Sequence, residues 1–160
     1  MAENSKNLFL KLIFLISIVA LASAFFIEYE LGHQPCNLCI LERIPYLLAI
    51  ILILLNYKFN HLEKYFLILL TIVFFIATIL SLYHFGIEQG FIQESMVCDL
   101  KSGSNLLSKE DILKQLQEKS ASCKDVTFKM IGLSLTTYNI LISLIITICA
   151  AKIYFSYDKN

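Results

Sequence analysis

The sequence predicts an all-α fold, an integral membrane four-helix bundle with a short first loop and a long second loop on the same side. Apolar residues make up 58% of the 160-residue chain and charged residues only 16%, whereas a soluble domain carries about 25% charged residues. Four windows contain no Asp, Glu, Lys or Arg, namely residues 12–27, 44–57, 65–87 and 130–151. Because a helix needs roughly 20 mainly apolar residues to cross a bilayer, these windows indicate four spans.

One membrane domain, residues 1–160, accounts for the whole chain. Its spans are predicted at about 10–28, 40–57, 65–87 and 131–154, and its loops at about 29–43 and 88–130. The third and fourth windows are long enough by themselves. The first is long enough if Lys11 extends its amine to the headgroups or if Glu28 lies among them. The second must begin near Cys36, which places Glu42 and Arg43 in the interface.

The tyrosines support these boundaries. An amphipathic phenol ring prefers the headgroup layer, and every tyrosine falls within a few residues of a predicted span end. The eight are Tyr29, Tyr46, Tyr57, Tyr65, Tyr83, Tyr138, Tyr154 and Tyr157. We therefore expect an aromatic belt.

The first span has a second interpretation, as a secretory signal within residues 1–24. Lys6 and Lys11 precede an apolar run, and Ala-Ser-Ala at 22–24 is typical of a cleavage site. The apolar run nevertheless continues through residues 25–27. This continuation favours an uncleaved span, and cleavage would leave the sidedness of the later segments unchanged.

Four spans place both termini on one face and both loops on the other. The loops contain four of the five cysteines, namely Cys36, Cys39, Cys98 and Cys123, and only Cys149 lies within a span. Lysine and arginine are almost equally numerous on the two sides, so the positive-inside rule does not choose an orientation. Four cysteines on one side suit a disulfide-permissive compartment. We therefore place the loops on the oxidising side and the termini on the cytosolic side.

Part of the long loop is predicted to be helical. Residues 108–111 (Ser-Lys-Glu-Asp) resemble a capping box, and Ile112, Leu113 and Leu116 follow on one helix face. We expect this helix to lie on the membrane surface. Nothing in the sequence suggests nucleic-acid binding.

Cys36 and Cys39 form a Cys-x-x-Cys pair at the mouth of the second span. A disulfide between them closes a small, strained ring, and such disulfides have the more oxidising potentials. Arg43 follows Cys39 by one helical turn, so its cation favours the thiolate of Cys39. Pro45 either begins a helix in its first turn or kinks it. The sequence therefore predicts a redox-active pair.

Two alternatives compete for this pair, a structural disulfide and half of a metal site. Zinc needs a second pair of ligands at similar spacing, and Cys98 and Cys123 lie 25 positions apart. A c-type haem needs His after the second cysteine, where the chain has Ile40. We predict no metal site.

Cys98 and Cys123 could be a static staple for the long loop, and their spacing alone favours that interpretation. Two cysteine pairs on one membrane face can, however, exchange by thiolate attack. Arg43 could likewise be only an interface anchor. His84, near the end of the third span, is an intramembrane ionisable residue and thus a candidate functional group, with an interfacial water-bonded histidine as the alternative.

Together these segments resemble the disulfide bond formation protein B (DsbB) family. Residues 35–43 (Pro-Cys-Asn-Leu-Cys-Ile-Leu-Glu-Arg) are similar to its first-loop signature. Residues 83–90 (Tyr-His-Phe-Gly-Ile-Glu-Gln-Gly) look like the end of its third span. Gly-Leu-Ser-Leu at 132–135 and Tyr-Asn at 138–139 are similar to the opening of its fourth span. The similarity covers nearly the whole chain.

The resemblance implies a protein dithiol:quinone oxidoreductase of the bacterial inner membrane, with periplasmic cysteine loops and cytoplasmic termini. It would reoxidise a soluble periplasmic thiol oxidase, DsbA, and pass the electrons to ubiquinone or menaquinone. In that way it would support disulfide bond formation in exported proteins.

The same resemblance implies a role for each cysteine. Cys98 matches the family cysteine that receives the partner's thiolate as a mixed disulfide, and Cys123 matches its loop partner. Cys36 matches the cysteine that exchanges with this second pair, and Cys39 the one whose thiolate lies against the quinone. The implied disulfides are Cys36–Cys39 and Cys98–Cys123, with an interloop Cys36–Cys123 disulfide as an intermediate.

Arg43 and His84 are the implied quinone-binding residues. Arg43 would lie beside the thiolate of Cys39, and His84 matches its family position approximately. Two other interpretations stay open. One is a non-enzymatic four-span scaffold stapled by structural disulfides, and the other is a related oxidoreductase that serves a dedicated partner.

Overall fold

The computed structural model describes residues 2–93, 98, 123, 124, 129, 130 and 132–157. The elements in chain order are α1 (Ala2–Tyr29), α2 (Asn37–Leu41), α3 (Ile44–Lys58), a 3₁₀ turn (Asn60–Leu62), α4 (Glu63–Glu88), the hairpin strands β1 (Lys129–Met130) and β2 (Leu133–Ser134), and α5 (Leu135–Tyr157). The helix predicted to begin at the capping box of residues 108–111 lies outside the described residues.

Four segments are long and apolar enough to cross a membrane. They are Lys6–Tyr29, Asn37–Lys58, Glu63–Glu88 and Leu135–Phe155. Large apolar side chains are exposed along all four, as expected where lipid replaces water. The predicted all-α four-helix membrane bundle is confirmed.

The second span consists of two helices, α2 and α3, because of Pro45. Pro45 occupies the first turn of α3 and has no N–H to donate to the carbonyl of Leu41. The backbone forms a tighter turn instead, in which the Arg43 N–H donates to the carbonyl of Ile40, three residues earlier, at 3.1 Å. Of the two roles open to Pro45, it begins a helix.

Helix α4 ends at Glu88 through a left-handed glycine. Gly90 has φ +77°, a conformation that ends many helices. The N–H groups of Phe91 and Ile92 then return to the carbonyl of Gly86 at 2.9 and 3.1 Å. This end fixes the last turn of α4, which carries two side chains of the site described below.

Helix α5 begins at Leu135, four residues after the predicted start at 131, because a hairpin precedes it. Met130 pairs antiparallel with Leu133. Gly132 lies in the turn between them with φ +81°, which glycine adopts without steric cost. The hairpin brings Ser134 and the first turn of α5 over the end of α4.

The long helices alternate in direction. Lys6 Nζ lies 2.5 Å from Glu63 Oε1, which joins the start of α1 to the start of α4. The ammonium group of Lys64 lies over the ring of Tyr154, near the end of α5. Both termini therefore lie at one end of the bundle, and α2 lies at the other.

The core lies between α4 and its neighbours α3 and α5. Phe74 is fully buried in the middle of α4. Thr78 donates its hydroxyl hydrogen bond at 2.8 Å to the Phe74 carbonyl, and its hydroxyl lies 3.1 Å from that of Ser143 on α5. Small side chains such as Ser81 and Ser143 permit this close approach, as they do in other membrane helices.

The predicted aromatic belt is wrong for Tyr46. Its side chain is 5% exposed and packs edge-on against Phe74, with the ring centroids 5.7 Å apart. Its hydroxyl donates a hydrogen bond to Asn139 Oδ1. The break before α3 places Tyr46 inside the bundle, whereas Tyr29 and Tyr65 are largely exposed at helix ends as predicted.

Candidate functional site

Cys36 caps the N-terminus of α2. Its backbone is extended, with φ −70° and ψ 166°, and its Sγ accepts a hydrogen bond from the Cys39 N–H at 3.2 Å. An extended residue with an acceptor side chain is the usual arrangement before the first turn of a helix. The sulfur of Cys36 therefore accepts a hydrogen bond from one backbone N–H, that of Cys39, and this donor favours a negative charge on the sulfur.

His84 reaches the same sulfur from the last turns of α4. Its Nε2 lies 3.6 Å from Cys36 Sγ, and its Nδ1 lies 3.0 Å from Glu42 Oε1. The imidazole is 2% exposed. The ring therefore bridges the carboxylate of Glu42 and the sulfur of Cys36 and is itself almost fully buried.

These contacts lower the pKa of the Cys36 thiol from 9.0 to about 5. The largest cause is the hydrogen bond from the Cys39 side chain, and His84 adds a second hydrogen bond and a favourable charge. Burial acts in the opposite direction because it penalises the thiolate. The contacts outweigh burial, so Cys36 is the stabilised thiolate of the reduced pair.

We expect the ultraviolet absorbance of the Cys36 thiolate to develop near pH 5 rather than near 9. His84→Phe should move this midpoint upward, because the substitution removes a donor and a positive charge. A folded-state pKa below the unfolded value contributes stability above the unfolded pKa and loses it as pH falls through about 5. The dithiol state should therefore unfold more readily below that pH.

The titration uses a Cys149→Ser background, so that the free thiol of α5 does not contribute. Cys36→Ser in the same background is the matched control and should remove the signal. A midpoint near 9 in the His84-containing chain would contradict the assignment.

Two carboxylates surround the histidine. Glu42 Oε2 accepts from Asn139 Nδ2 at 3.0 Å, and the same amide donates to Ser81 Oγ at 2.8 Å. Glu88 Oε1 accepts from the Thr136 hydroxyl at 2.6 Å, whereas its buried Oε2 has no hydrogen-bond partner among the described residues. Sequence reasoning missed this set. Acidic residues at the ends of apolar windows were the available signal.

The sequence predicts Arg43 beside the thiol of Cys39, but the Arg43 side chain contacts α1. Its Nη1 lies 2.5 Å from Glu28 Oε2, and its guanidinium lies 5.2 Å from the centroid of the Phe25 ring. Both partners belong to the end of α1. Arg43 therefore joins α1 to the start of α3, and the contacts that stabilise a thiolate converge on Cys36 instead.

The second cysteine pair lies against the first. Cys98 and Cys123 form a disulfide with their Cα atoms 5.9 Å apart. Both are buried in one apolar cluster with Cys36, and Asn37 Nδ2 donates to the Cys98 carbonyl at 3.2 Å. Cys36 and Cys39 are free thiols. This structure therefore holds a dithiol first pair beside an oxidised second pair, and the disulfide expected between Cys36 and Cys39 stays a prediction.

A cavity of about 530 Å³ connects these groups with the lipid-facing helices. One part of its wall is apolar and comes from α1 and α5, for example Val19, Ile27 and Ile142. The other part is polar or ionisable and contains Cys36, Cys39, Glu42, Arg43, His84, Glu88 and Cys123. Pockets of this size and mixed lining are typical of sites for small lipophilic molecules.

The structure also assembles three ligands of the kind that metals use. The sulfurs of Cys36 and Cys39 and a ring nitrogen of His84 lie within 4.8 Å of one another. The spacing of the cysteines gives no sign of this set, because its third member is a histidine. His84 is 48 positions from Cys36, and only the packing of α4 against α2 brings them together.

Comparison with known proteins identifies the family. A family model described as disulfide bond formation protein DsbB matches residues 6–153, which include all four helical spans almost completely and both cysteine pairs. The chain belongs to the DsbB family. The resemblance inferred from residues 35–43, 83–90 and 132–139 is thereby confirmed.

A relative of this DsbB-family chain occurs in Rickettsia prowazekii (strain Madrid E). The protein, named uncharacterized protein RP370, is 35% identical over 151 residues, which cover 91% of this chain and 85% of the relative. The similarity extends over nearly the full length of both proteins. Membership of the DsbB family, together with four apolar helices, makes this chain a multi-pass membrane protein of the disulfide-forming oxidoreductases.

Proposed function

We propose that this DsbB-family protein is a protein dithiol:quinone oxidoreductase of the bacterial inner membrane. It would reoxidise a periplasmic DsbA-like thiol oxidase of the thioredoxin fold and deliver the electrons to the membrane pool of ubiquinone or menaquinone. The observation that carries the proposal is the shared cavity. Cys36, Cys39 and Cys123 line the same space as apolar side chains of α1 and α5, so thiol chemistry and a lipophilic acceptor meet there.

The proposed orientation places both cysteine pairs at the periplasmic face and both termini in the cytoplasm. The Cys98–Cys123 disulfide supports it, because disulfides persist in oxidising compartments. This disulfide packs at the α2 end of the bundle, opposite the end where Lys6 pairs with Glu63. In a chain without its native cysteines, a membrane-impermeant thiol reagent should label Gln89→Cys, an exposed position at the α2 end, in intact spheroplasts but should label Lys58→Cys at the opposite end only after lysis. The reverse result would contradict the orientation.

The first steps take electrons from the partner protein. A partner thiolate attacks Cys98 Sγ and forms a mixed disulfide, while Cys123 leaves as a thiolate. Cys123 then attacks Cys36 Sγ of an oxidised Cys36–Cys39 pair and expels the Cys39 thiolate. The burial of Cys123 and Cys36 in one cluster supports this exchange, since thiolate attack requires direct contact between sulfurs.

The next steps complete the transfer within the protein. The second thiolate of the partner attacks its own mixed disulfide and leaves oxidised, which frees the Cys98 thiolate. Cys98 attacks Cys123 in the interloop disulfide, re-forms Cys98–Cys123 and releases the Cys36 thiolate. The result is a reduced first pair and an oxidised second pair, which is the state of this structure.

The cavity fits a quinone by size and by lining. A quinone bound there would accept two electrons and two protons as the Cys36–Cys39 disulfide re-forms. The apolar wall from α1 and α5 suits a hydrophobic ring and tail. Arg43 places a permanent positive charge on the cavity wall, where negative charge develops during reduction. His84, hydrogen-bonded to Glu42, holds a proton beside Cys36.

The test is quinone reduction by the purified full chain in lipid nanodiscs, supplied with a reduced thioredoxin-fold dithiol protein. Ubiquinone and menaquinone analogues are assayed separately by their absorbance. We expect turnover with the native chain. Arg43→Met should lower kcat by about 10²-fold, the effect of removing one charge-stabilising donor.

Lys58→Met is the matched control, because Lys58 ends α3 at the opposite end of the bundle. It should leave kcat unchanged. Glu28→Gln separates charge from packing, since it frees Arg43 from its ion pair but keeps the guanidinium, and it should lower kcat much less than Arg43→Met. A native chain that reduces neither quinone would overturn the proposal and favour a scaffold with structural disulfides.

A further inference from the structure

Cys36, Cys39 and His84 have the geometry of a tetrahedral metal site as well as that of a redox site. Cys36 Sγ and His84 Nε2 are 3.6 Å apart. A tetrahedral Zn²⁺ ion with Zn–S of about 2.3 Å and Zn–N of about 2.0–2.1 Å holds these two ligands about 3.6 Å apart. The third ligand, Cys39 Sγ, lies within 4.8 Å of both, and two thiolates on such an ion are about 3.8 Å apart.

The surroundings of His84 match those of histidine ligands in zinc proteins. A metal-bound imidazole almost always donates its other ring N–H to a carboxylate or carbonyl. Nδ1 of His84 lies 3.0 Å from Glu42 Oε1, so that loss of the Nε2 proton directs the Nε2 lone pair at Cys36. Asn139 donates to the other oxygen of Glu42 and so fixes this carboxylate.

A second carboxylate lies next to His84. Glu88 Oε1 is 3.9 Å from His84 Nε2, and the Glu88 side chain is 6% exposed. Its Oε2 is buried without a hydrogen-bond partner among the described residues, an arrangement that costs free energy unless a ligand or water satisfies the atom. Two thiolates neutralise the charge of a divalent ion, so a centre of this composition needs little further compensation in a buried site.

We propose that the reduced form of this chain binds one Zn²⁺ ion through Cys36, Cys39 and His84, with a water molecule as the fourth donor and Glu42 as the positioning partner of His84. Each thiol that ligates as a thiolate releases its proton, His84 releases the Nε2 proton that it donates to Cys36, and no electrons are transferred. Zn²⁺ bound in this way holds both sulfurs and prevents the Cys36–Cys39 disulfide from forming. This regulatory consequence rests on the proposed function, whereas the binding itself does not.

Binding is measured on the full chain in nanodiscs, without a histidine tag, in a Cys98→Ser/Cys123→Ser background that removes the second pair as a competing ligand. The reduced chain is titrated with Zn²⁺ against a chromophoric chelator and with Co²⁺ by absorbance. We expect one ion per chain, thiolate-to-cobalt charge-transfer absorbance and the visible bands of tetrahedral cobalt. The oxidised chain should bind neither ion at this site.

Single substitutions separate a site that includes His84 from a simple dithiol. Glu42→Gln should weaken Zn²⁺ binding by about 10–100-fold, the usual effect of losing the partner of a histidine ligand. His84→Phe should weaken it more than Glu42→Gln does. The matched controls are His61→Ala and Glu63→Gln at the opposite end of α4, and both should bind Zn²⁺ like the background chain.

Thermal unfolding provides a second measurement of Zn²⁺ binding and shows whether each variant is folded. Zn²⁺ should raise the Tm of the reduced background chain, since a ligand that binds only the folded state stabilises it, and should leave the Tm of the oxidised chain unchanged. The site is overturned if His84→Phe binds Zn²⁺ as tightly as the background chain, or if reduced and oxidised chains bind it equally.

The regulatory consequence is tested in the native chain by quinone turnover with increasing Zn²⁺. We expect inhibition with the same half-maximal concentration as binding, reversed by a chelator. Turnover that persists at saturating Zn²⁺ would overturn the regulatory role. A chain that binds Zn²⁺ at this site but never reduces quinone would instead contradict the proposed function and leave the metal site standing.

Discussion

Cys39→Ser will abolish catalytic quinone reduction while leaving thiol exchange at Cys98 intact. A serine hydroxyl cannot form a disulfide with Cys36, so the first pair can no longer accept or release two electrons. The Cys98–Cys123 disulfide is unaffected, and each chain should still oxidise one partner dithiol. The expected result is a stoichiometric burst of partner oxidation without quinol, measured by thiol counting and quinone absorbance in one reaction.

Cys149→Ser is the control for this variant, because Cys149 is a free cysteine in α5. It should keep the turnover of the native chain. Multiple turnovers by Cys39→Ser would contradict the assignment of Cys39 as the last sulfur before the acceptor. Loss of the burst as well would indicate that the substitution disturbs the contact between the two pairs.

Cys123→Ala will trap the partner protein as a mixed disulfide through Cys98. In the native chain Cys123 is the thiol that re-forms the disulfide with Cys98, and its sulfur lies in the same buried cluster. Without Cys123, the Cys98 thiolate attacks the disulfide of an oxidised partner and expels one partner thiolate, and the resulting mixed disulfide persists until that partner thiolate resolves it. A large covalent adduct should therefore accumulate on non-reducing gels and disappear with reductant.

Mass spectrometry of the adduct identifies its other half. A general thioredoxin-fold oxidase would support the proposed function as stated, and a single secreted enzyme would indicate a dedicated partner. Cys98→Ser in the same chain is the control and should remove the adduct. An adduct through Cys36 in place of Cys98 would reverse the proposed order of the two pairs.

The spans and the Cys-x-x-Cys motif could be predicted because their signals are local, whereas the pairing of Cys98 with Cys123 was implied only by the family resemblance. A charge-free window long enough to cross a bilayer needs no tertiary information, and a Cys-x-x-Cys pair is visible in the chain itself. The contact between Cys36 and His84 has no such signal, since it joins residues 48 positions apart across α2 and α4. Glu42 was likewise placed only in the interface, although it pairs with His84.

Local sequence signals also could not show that the stabilised thiolate belongs to Cys36 and not to Cys39. Helical spacing placed Arg43 beside Cys39, but this spacing assumed one continuous helix. Pro45 begins α3 immediately after Arg43, and the guanidinium turns to Glu28 on α1. Cys36, as the cap of α2, receives the donors instead. The helix break at Pro45 therefore determines which cysteine has the stabilised thiolate.

The contacts that hold α1 suggest how a hydrophobic guest gains access. Ion pairs hold the two ends of α1, Lys6 with Glu63 and Glu28 with Arg43. Between them, Leu10 and Ile13 pack α1 into the core, and acyl chains can replace such apolar contacts at little cost. The hydrogen bonds from Asn139 to Glu42 and Ser81 tie α3, α4 and α5 together, and hydrocarbon offers no substitute for them. The bundle is therefore easiest to open along α1, and a molecule dissolved in the bilayer can enter there between the helices without passing through water.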